Sequence, residues 1–212
     1  VAANGACFRN DILGIIPEII EDYYANRKKI KTEMLKLESE EQVEKGKKRK
    51  RELKQQITQL HNAQMAIKIA MNSLYGASAN RYFIYYIKDM AEAITTSGQL
   101  SIRWAERSIN RYMNKVLKTE DQDYVFYIDT DSVYVNMAPL VEKVFGTVDI
   151  DRATGEEFLD KVCRTKIEGV IEEGYEELAK IMGAYRNAMS MKREKITDKA
   201  ILVAKKRYIM NT

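Results

Sequence analysis

"YVFYIDTDSVYVNM", residues 124–137, decides how this chain is read. β-Branched and aromatic residues dominate it, the composition of a strand with a buried face. Yet Asp129 and Asp131 stand in its middle, and burying a carboxylate is costly unless a cation or hydrogen-bond donors meet it. The flanks "VFYI" and "VYV" predict two strands that turn at the aspartates. In an extended segment residues i and i+2 point to one side, so the two carboxylates repel unless a cation lies between them. Hard oxygen donors, with no His or Cys nearby, fit Mg²⁺ or Mn²⁺ rather than zinc. The plain alternative is a surface hairpin with two solvated aspartates. The apolar flanks favour a carboxylate pair mounted on a rigid core.

Upstream, the pattern is helical. Pro17-Glu18 reads as a helix start. From there to about Gly76 there is no proline, Gly46 is the one interior glycine, and Lys, Glu, Gln, Leu and Met prevail. This predicts two long antiparallel helices turning near Gly46. Residues 1–16 read as a short hairpin or loop. Arg27 and Lys31 share one face of the first helix; Lys68, Asn72 and Tyr75, at i, i+4 and i+7, share one face of the second. Antiparallel packing about Gly46 puts position 27 level with position 65 and brings Arg27 and Lys31 towards Lys68. Three cations without matched acids suit a polyanion such as a triphosphate; solvated surface charges are the ordinary alternative. Tyr75 offers a ring for a base and Gly76 leaves room beside it. The basic turn "EKGKKRKREL", residues 44–53, reads as a solvated hairpin tip or a phosphate contact.

Downstream, "RYFIYYI" (81–87) reads as a strand and Asp89–Leu117 as a helix. That helix carries a core stripe at Ile102, Ala105, Ile109, Tyr112 and Val116. Pro139 starts a short helix, and 156–188 a longer one. "SMKREKI" (190–196) and "KAILVAKKRYIM" (199–210) read as two strands joined around Thr197-Asp198.

Composition narrows the function classes. The chain has 212 residues and 45% apolar residues, and 35 Lys+Arg against 31 Asp+Glu give a net charge of +4. This mild excess permits nucleic-acid binding without arguing for it. His61 is the single histidine, which argues against a histidine-based metal site or triad. Cys7 and Cys163 lack metal-ligand spacing and read as reduced core thiols. No apolar run approaches the roughly 18 residues of a membrane span.

Four motifs in order then carry a family resemblance across essentially the whole chain. "NRKKIK" (26–31) and "KIAMNSLYG" (68–76) resemble the two fingers helices of family B DNA polymerases. "YIDTDSVYV" (127–135) resembles that family's palm motif, and "KKRY" (205–208) its primer-binding motif. "AITTSGQLSIRWAERSINRYMN" (93–114) is similar to the replicative polymerases of T-even-type bacteriophages. The resemblance implies an α+β fold: a polymerase palm of mixed or antiparallel sheet with helices packed on it, and an inserted antiparallel α-helical hairpin as fingers. Its domains would be a palm edge segment (1–16), the fingers (17–76) and the palm (77–212).

The implied function is template-directed DNA synthesis in viral DNA replication, with nucleotidyl transfer from dNTP to the primer 3′-hydroxyl by two-metal catalysis. Asp131, Asp129 and Lys68 form the implied catalytic set. Two Mg²⁺ ions, with Mn²⁺ as substitute, would sit on Asp131, Asp129 and Glu194. Arg27, Lys31, Lys68, Asn72, Tyr75 and Gly76 would bind the nucleotide; Lys205, Lys206, Arg207 and Tyr208 would bind DNA. The implied partners are primer-template DNA, dNTP and the rest of a polymerase chain: exonuclease, first palm motif and thumb. A sliding clamp would bind only through regions outside these 212 residues. No membrane is implied, and the location is the cytoplasm of an infected bacterial host. The first catalytic aspartate motif is absent from this sequence, so the expectation is a partial chain that is inactive alone. Ile128 departs from the small residue the family commonly has before its first palm aspartate, and its bulk could shift the hairpin. Two rivals are a metal-dependent nucleotide-sugar glycosyltransferase, which also uses an Asp-any-Asp, and a non-catalytic nucleic-acid-binding module.

Overall fold

The computed structural model describes residues 1–204 and 206–211. It is an α+β chain of six α-helices and two antiparallel two-stranded sheets among those residues. Contacts divide it into two compact units, one of residues 1–8 with 93–212 and one of residues 9–92.

The second unit is the helical hairpin. Helix α1 spans Ile15–Val43 and α2 spans Lys47–Ser78. Gly14 precedes α1, so Pro17 falls in the first turn, where its missing N–H costs nothing. Gly46 is the N-cap of α2, as the sequence suggests. The helices run antiparallel: Arg27 Nε donates to Gln64 Oε1 at 3.2 Å, and at the tip Arg49 meets Glu40 at 3.1 Å. Burial between them is thin, and Leu53, with no exposed surface, is its deepest apolar residue. Much of the basic turn is neutralised locally. Arg49 also reaches Glu52 at 3.8 Å, and Lys50 and Lys54 reach Glu41 at 3.4 and 3.8 Å.

Two expected strands are not formed. Residues 81–87 make consecutive turns, with Phe83 N–H donating to Asn80 O and Tyr86 N–H to Phe83 O. The aromatic run has no partner strand among the described residues, and its β propensity depends on one to pack against. Residues 190–197 likewise form no strand. Instead β3 (Lys199–Ala204) and β4 (Arg207–Asn211) pair antiparallel within the single strand read at 199–210. Both cysteines are free as expected, but Cys7 is exposed rather than core.

The first unit is built around α3, Lys88–Leu117, whose first turn belongs to the hairpin unit. Ala105, Ile109 and Met113 of α3 pack with Tyr124, Val125, Leu140, Ile167, Ile171 and Tyr175 in one buried cluster. Strands β1 (Val125–Asp129) and β2 (Ser132–Val135) form a hairpin whose Ile128, Val133 and Val135 lie against that cluster. Then come α4 (Ala138–Phe145), α5 (Arg152–Val162) and α6 (Glu168–Met182). The expected single helix at 156–188 is instead α5 and α6 joined through a π-helical turn, Cys163–Ile167, and it ends at Gly183, which is left-handed. Gly174 on α6 lies so close to α3 that an added Cβ would stand 2.3 Å from Ser108 Oγ and 3.2 Å from Ser108 Cβ.

One polar side chain fixes where β1 starts. Asn110 Oδ1, on α3, accepts from the Tyr124 N–H at 2.8 Å and the Val125 N–H at 3.2 Å, while Nδ2 donates to Asp123 Oδ1 at 2.9 Å. Asn114, one turn on, ties down Gln122 through both its backbone N–H and its carbonyl. Asn110→Ala removes an acceptor from two buried donors, so it should destabilise the chain by about 1–3 kcal/mol. Urea denaturation followed by circular dichroism checks this, with an exposed control such as Asn62→Ala expected within about 0.5 kcal/mol of the parent.

Candidate functional site

The carboxylate hairpin turns more tightly than two extended residues would. Asp129 pairs with Ser132, leaving Thr130 and Asp131 as the loop. Thr130 has φ 55°, and the Asp131 N–H donates back to Asp129 O at 2.6 Å. This is a γ-turn with positive φ at its centre, the rarer and strained form, and a β-branched residue there is a genuine outlier. Thr130 Oγ1 donates to Asp129 Oδ1 at 3.0 Å and Ser132 Oγ to Asp129 O at 3.1 Å. The two aspartates therefore differ. Asp131 is exposed at the loop, whereas the Asp129 side chain is only 12% exposed. Ile128 pairs with Val133 and packs against the core cluster, one residue from the acid.

A cation stands beside Asp129. Lys206 Nζ, from the β3–β4 turn, is 3.5 Å from Asp129 Oδ1. The Tyr208 ring on β4 lies edge-on to Tyr134 on β2, centroids 5.7 Å apart. Hydrogen bonding to Tyr208, with partial loss of water and the nearby Asp129 charge adding to it, pushes the Tyr134 hydroxyl up to about 12. Arg207 pairs with Ala204 across that turn, and Lys205 lies outside the described residues. The structure thus brings Lys206 to Asp129 and Tyr208 to Tyr134 of the same hairpin, with Asp131 at its loop.

Glu194 is exposed, in the irregular segment before β3. That segment is strapped to the helices by Arg193. Its N–H donates to Glu168 Oε1 at 3.0 Å, and its guanidinium bonds Asp160, which also meets Arg164 at 2.9 Å. Among the described residues no group of three or more His, Cys, Asp or Glu is gathered as a metal site. Glu194 therefore does not complete a three-carboxylate cluster with Asp129 and Asp131.

On the hairpin unit, Arg27 is half-buried by its bond to Gln64, while Lys31, Lys68, Asn72 and Tyr75 are exposed. Lys68 lies one turn from Gln64 towards the helix base, and Lys31 one turn from Arg27 towards the tip. Arg27 thus stands between them in height, with the two lysines roughly 12 Å apart along the axis. Nothing comes within 4 Å of a Cβ added at Gly76, so the space beside Tyr75 is open.

Residues 7–168 match the sequence pattern of DNA polymerase family B. The chain belongs to that family. Over 157 residues, 70% of this chain, it is 38% identical to the DNA-directed DNA polymerase of Escherichia phage RB69. Over 160 residues, again 70% of the chain, it is 41% identical to that of Enterobacteria phage T4. The likeness to T-even-type phage enzymes read in residues 93–114 is therefore borne out. A more distant match, 25% identical over 92% of the chain, is the DNA polymerase delta catalytic subunit of Drosophila melanogaster. The chain spans 17% of the length of each phage relative and 14% of the fly one. Among the described residues no helix is long and apolar enough to cross a membrane.

Sequence reasoning missed the Lys206–Asp129 pair and the Arg193 strap, since neither partner announces the other at a separation of 77 or 33 positions. Thr130, in contrast, is legible once the loop is known to be two residues, because such loops favour Gly or Asn where φ is positive. Thr130→Gly should relieve the turn and raise stability by about 0.5–1 kcal/mol, read as a rise of roughly 2–4 °C in Tm per kcal/mol. A fall in Tm would mean that the hydroxyl bond to Asp129 outweighs the backbone strain.

Proposed function

We propose that these 212 residues are the fingers and most of the palm of a template-directed DNA polymerase, which joins a dNTP to a primer 3′-hydroxyl with release of pyrophosphate. The observation that carries this reading is the β1–β2 tip: two carboxylates on a strained loop, backed by a packed core and flanked by a lysine from the motif read as primer-binding. The donor set fits Mg²⁺, which takes one or two protein carboxylates and fills its other positions with water and phosphate oxygens. Bound there as a pair, magnesium would lower the pKa of the attacking hydroxyl and offset the charge on the departing pyrophosphate.

The side chains divide the remaining work. Asp131, exposed at the loop, is the principal metal ligand; Asp129 supplies a second carboxylate held by Thr130. Glu194 is a further acidic position on the Arg193-strapped segment. Arg27, Lys31 and Lys68 bind the triphosphate, Arg27 keeping guanidinium nitrogens beyond the one given to Gln64. Asn72 and Tyr75 line the pocket for the nascent base pair, with the open space at Gly76 beside them. Lys206, with Lys205, Arg207 and Tyr208, contacts the primer strand. The partners are primer-template DNA, dNTP and the remainder of a polymerase chain, in the cytoplasm of an infected bacterium.

Two measurements test the reading. In nucleotide binding, the chain should take dATP in a Mn²⁺-dependent manner and not UDP-glucose. Lys68→Ala and Arg27→Ala should each weaken it about tenfold, or about 1.4 kcal/mol, and Asp131→Ala should remove the metal dependence. Sugar-nucleotide preference would favour a glycosyltransferase, and DNA binding indifferent to Mn²⁺ and Asp131 would favour a plain binding module. In primer extension, the isolated chain should be inactive, because two-metal catalysis also needs the first palm aspartate motif, which these 212 residues lack. Magnesium-dependent synthesis by the chain alone would refute that.

A further inference from the structure

The Asp129 carboxylate poses a question that the polymerase reading leaves open. Its side chain is 12% exposed, so its charge has lost most of its water and needs a compensating partner. The partner present is a lysine, and its side chain is 65% exposed. Lys206 is thus firmly useful to Asp129 but loosely held itself. An exposed ammonium at 3.5 Å is stabilised only weakly, and lysine is a compact point charge on a flexible stem. One ammonium cannot sit at Asp129 and reach along a DNA strand at once.

We propose that Lys206 is a resident cation for Asp129, exchanged for metal when a DNA strand draws the lysine away. Strand engagement and metal loading at Asp129 and Asp131 then favour one another. The inference rests on the reading of these residues as metal-binding and primer-binding. It adds that the two functions compete for one charge.

The geometry supports an exchange in which the side chain moves and the backbone stays. Lys206 lies in the β3–β4 turn with φ 62°, beside the Ala204–Arg207 pair. The edge-on contact of Tyr208 with Tyr134 ties β4 to β2 independently of the ion pair. The turn can therefore remain over the carboxylate hairpin while Nζ leaves. Thr130 Oγ1 donates to the same Asp129 oxygen, so the carboxylate keeps one partner during the exchange. Coupling of this kind is reciprocal: whatever DNA does for metal affinity, metal does for DNA affinity.

The test measures binding on the 212-residue chain, not synthesis. Free Mn²⁺ is followed by electron paramagnetic resonance for the parent chain, Lys206→Met, Lys206→Arg, Asp131→Asn and Lys206→Met/Asp131→Asn, each first shown to be folded by circular dichroism. Lys206→Met should bind Mn²⁺ about twofold to fivefold more tightly, the range an exposed ion pair can supply. Lys206→Arg should resemble the parent, and Asp131→Asn should lose binding in both backgrounds. In a second arm, a primer-template duplex is titrated without metal. Asp129→Asn should tighten duplex binding by a similar factor, and Lys206→Met should abolish that gain. Mn²⁺ binding that responds to Asp131→Asn, but is equal or weaker in Lys206→Met, overturns the exchange and leaves the metal site standing. An Asp129→Asn gain that survives in the Lys206→Met background also overturns it, as does no gain at all. Absence of any Asp131-sensitive Mn²⁺ binding in every variant sinks the metal reading itself, and the exchange with it.

Discussion

The face of α3 that carries Ile109, Asn110, Met113 and Asn114 determines where the acidic loop can stand. A two-stranded hairpin of this length is marginal by itself in water. Here β1 is held at its start by the two hydrogen bonds that Asn110 Oδ1 accepts. Along its length it is held by the packing of Ile128, Val133 and Val135 against the α3-centred cluster. Ile109 and Met113 in that cluster have no exposed surface. Truncating either would leave a cavity, a change that commonly costs about 2–5 kcal/mol. The loop with Asp129 and Asp131 is thus the far end of a lever whose fulcrum is a helix. Its γ-turn can hold a β-branched residue at positive φ because the strands on both sides are fixed.

That rigidity gives the two aspartates different electrostatic settings. Asp131 projects into water, where an ion can approach with its hydration shell largely intact, as Mg²⁺ prefers. Asp129 lies on the face of β1 opposite Ile128, under the β3–β4 turn, and is compensated by a hydroxyl and an ammonium. Two carboxylates two residues apart in sequence therefore do not form a symmetric pair. The asymmetry follows from the turn: had residues 129–131 been extended, both would share one side and one environment.

Legibility in the sequence followed the range of the interactions. The helical hairpin was readable because its signals are local: good helix formers, no interior proline, one glycine at the turn. Even its register was readable, since antiparallel geometry about Gly46 leaves little freedom, and Arg27 meets Gln64 where position 65 was expected. The paired strands around the aspartates were readable from their apolar flanks. Strand propensity failed at 81–87, where Tyr82 and Ile84 are 88% and 84% exposed. A propensity measured on packed sheet surfaces says little about a segment with no such surface to join. The π turn at 163–167 was invisible, because one extra residue in a helix leaves no compositional mark. In the site, the motif positions were legible and their electrostatic partners were not. Nothing in "KKRY" announces that its second lysine sits on Asp129, nor does Asn110 stand out among the polar residues of α3.

The β3–β4 ribbon shows why the unseen contact matters. Ile201, Val203 and Ile209 are 63%, 70% and 68% exposed, so the ribbon gains little from burial, and two strands alone rarely suffice. Within the ribbon, the Asn211 side-chain amide closes onto Asp198 and Thr197 Oγ1 onto the Asn211 carbonyl. Outward, Lys206 meets Asp129 and Tyr208 meets Tyr134. Both of these contacts land on the carboxylate hairpin. The segment with the primer-binding resemblance is therefore oriented by the element that carries the acids. A change of charge at Asp129 must be felt at Lys206 before it is felt anywhere else in the ribbon. Strand orientation and the setting of the Asp129 carboxylate are thus two consequences of one contact, which gives Asp129 a structural role of its own.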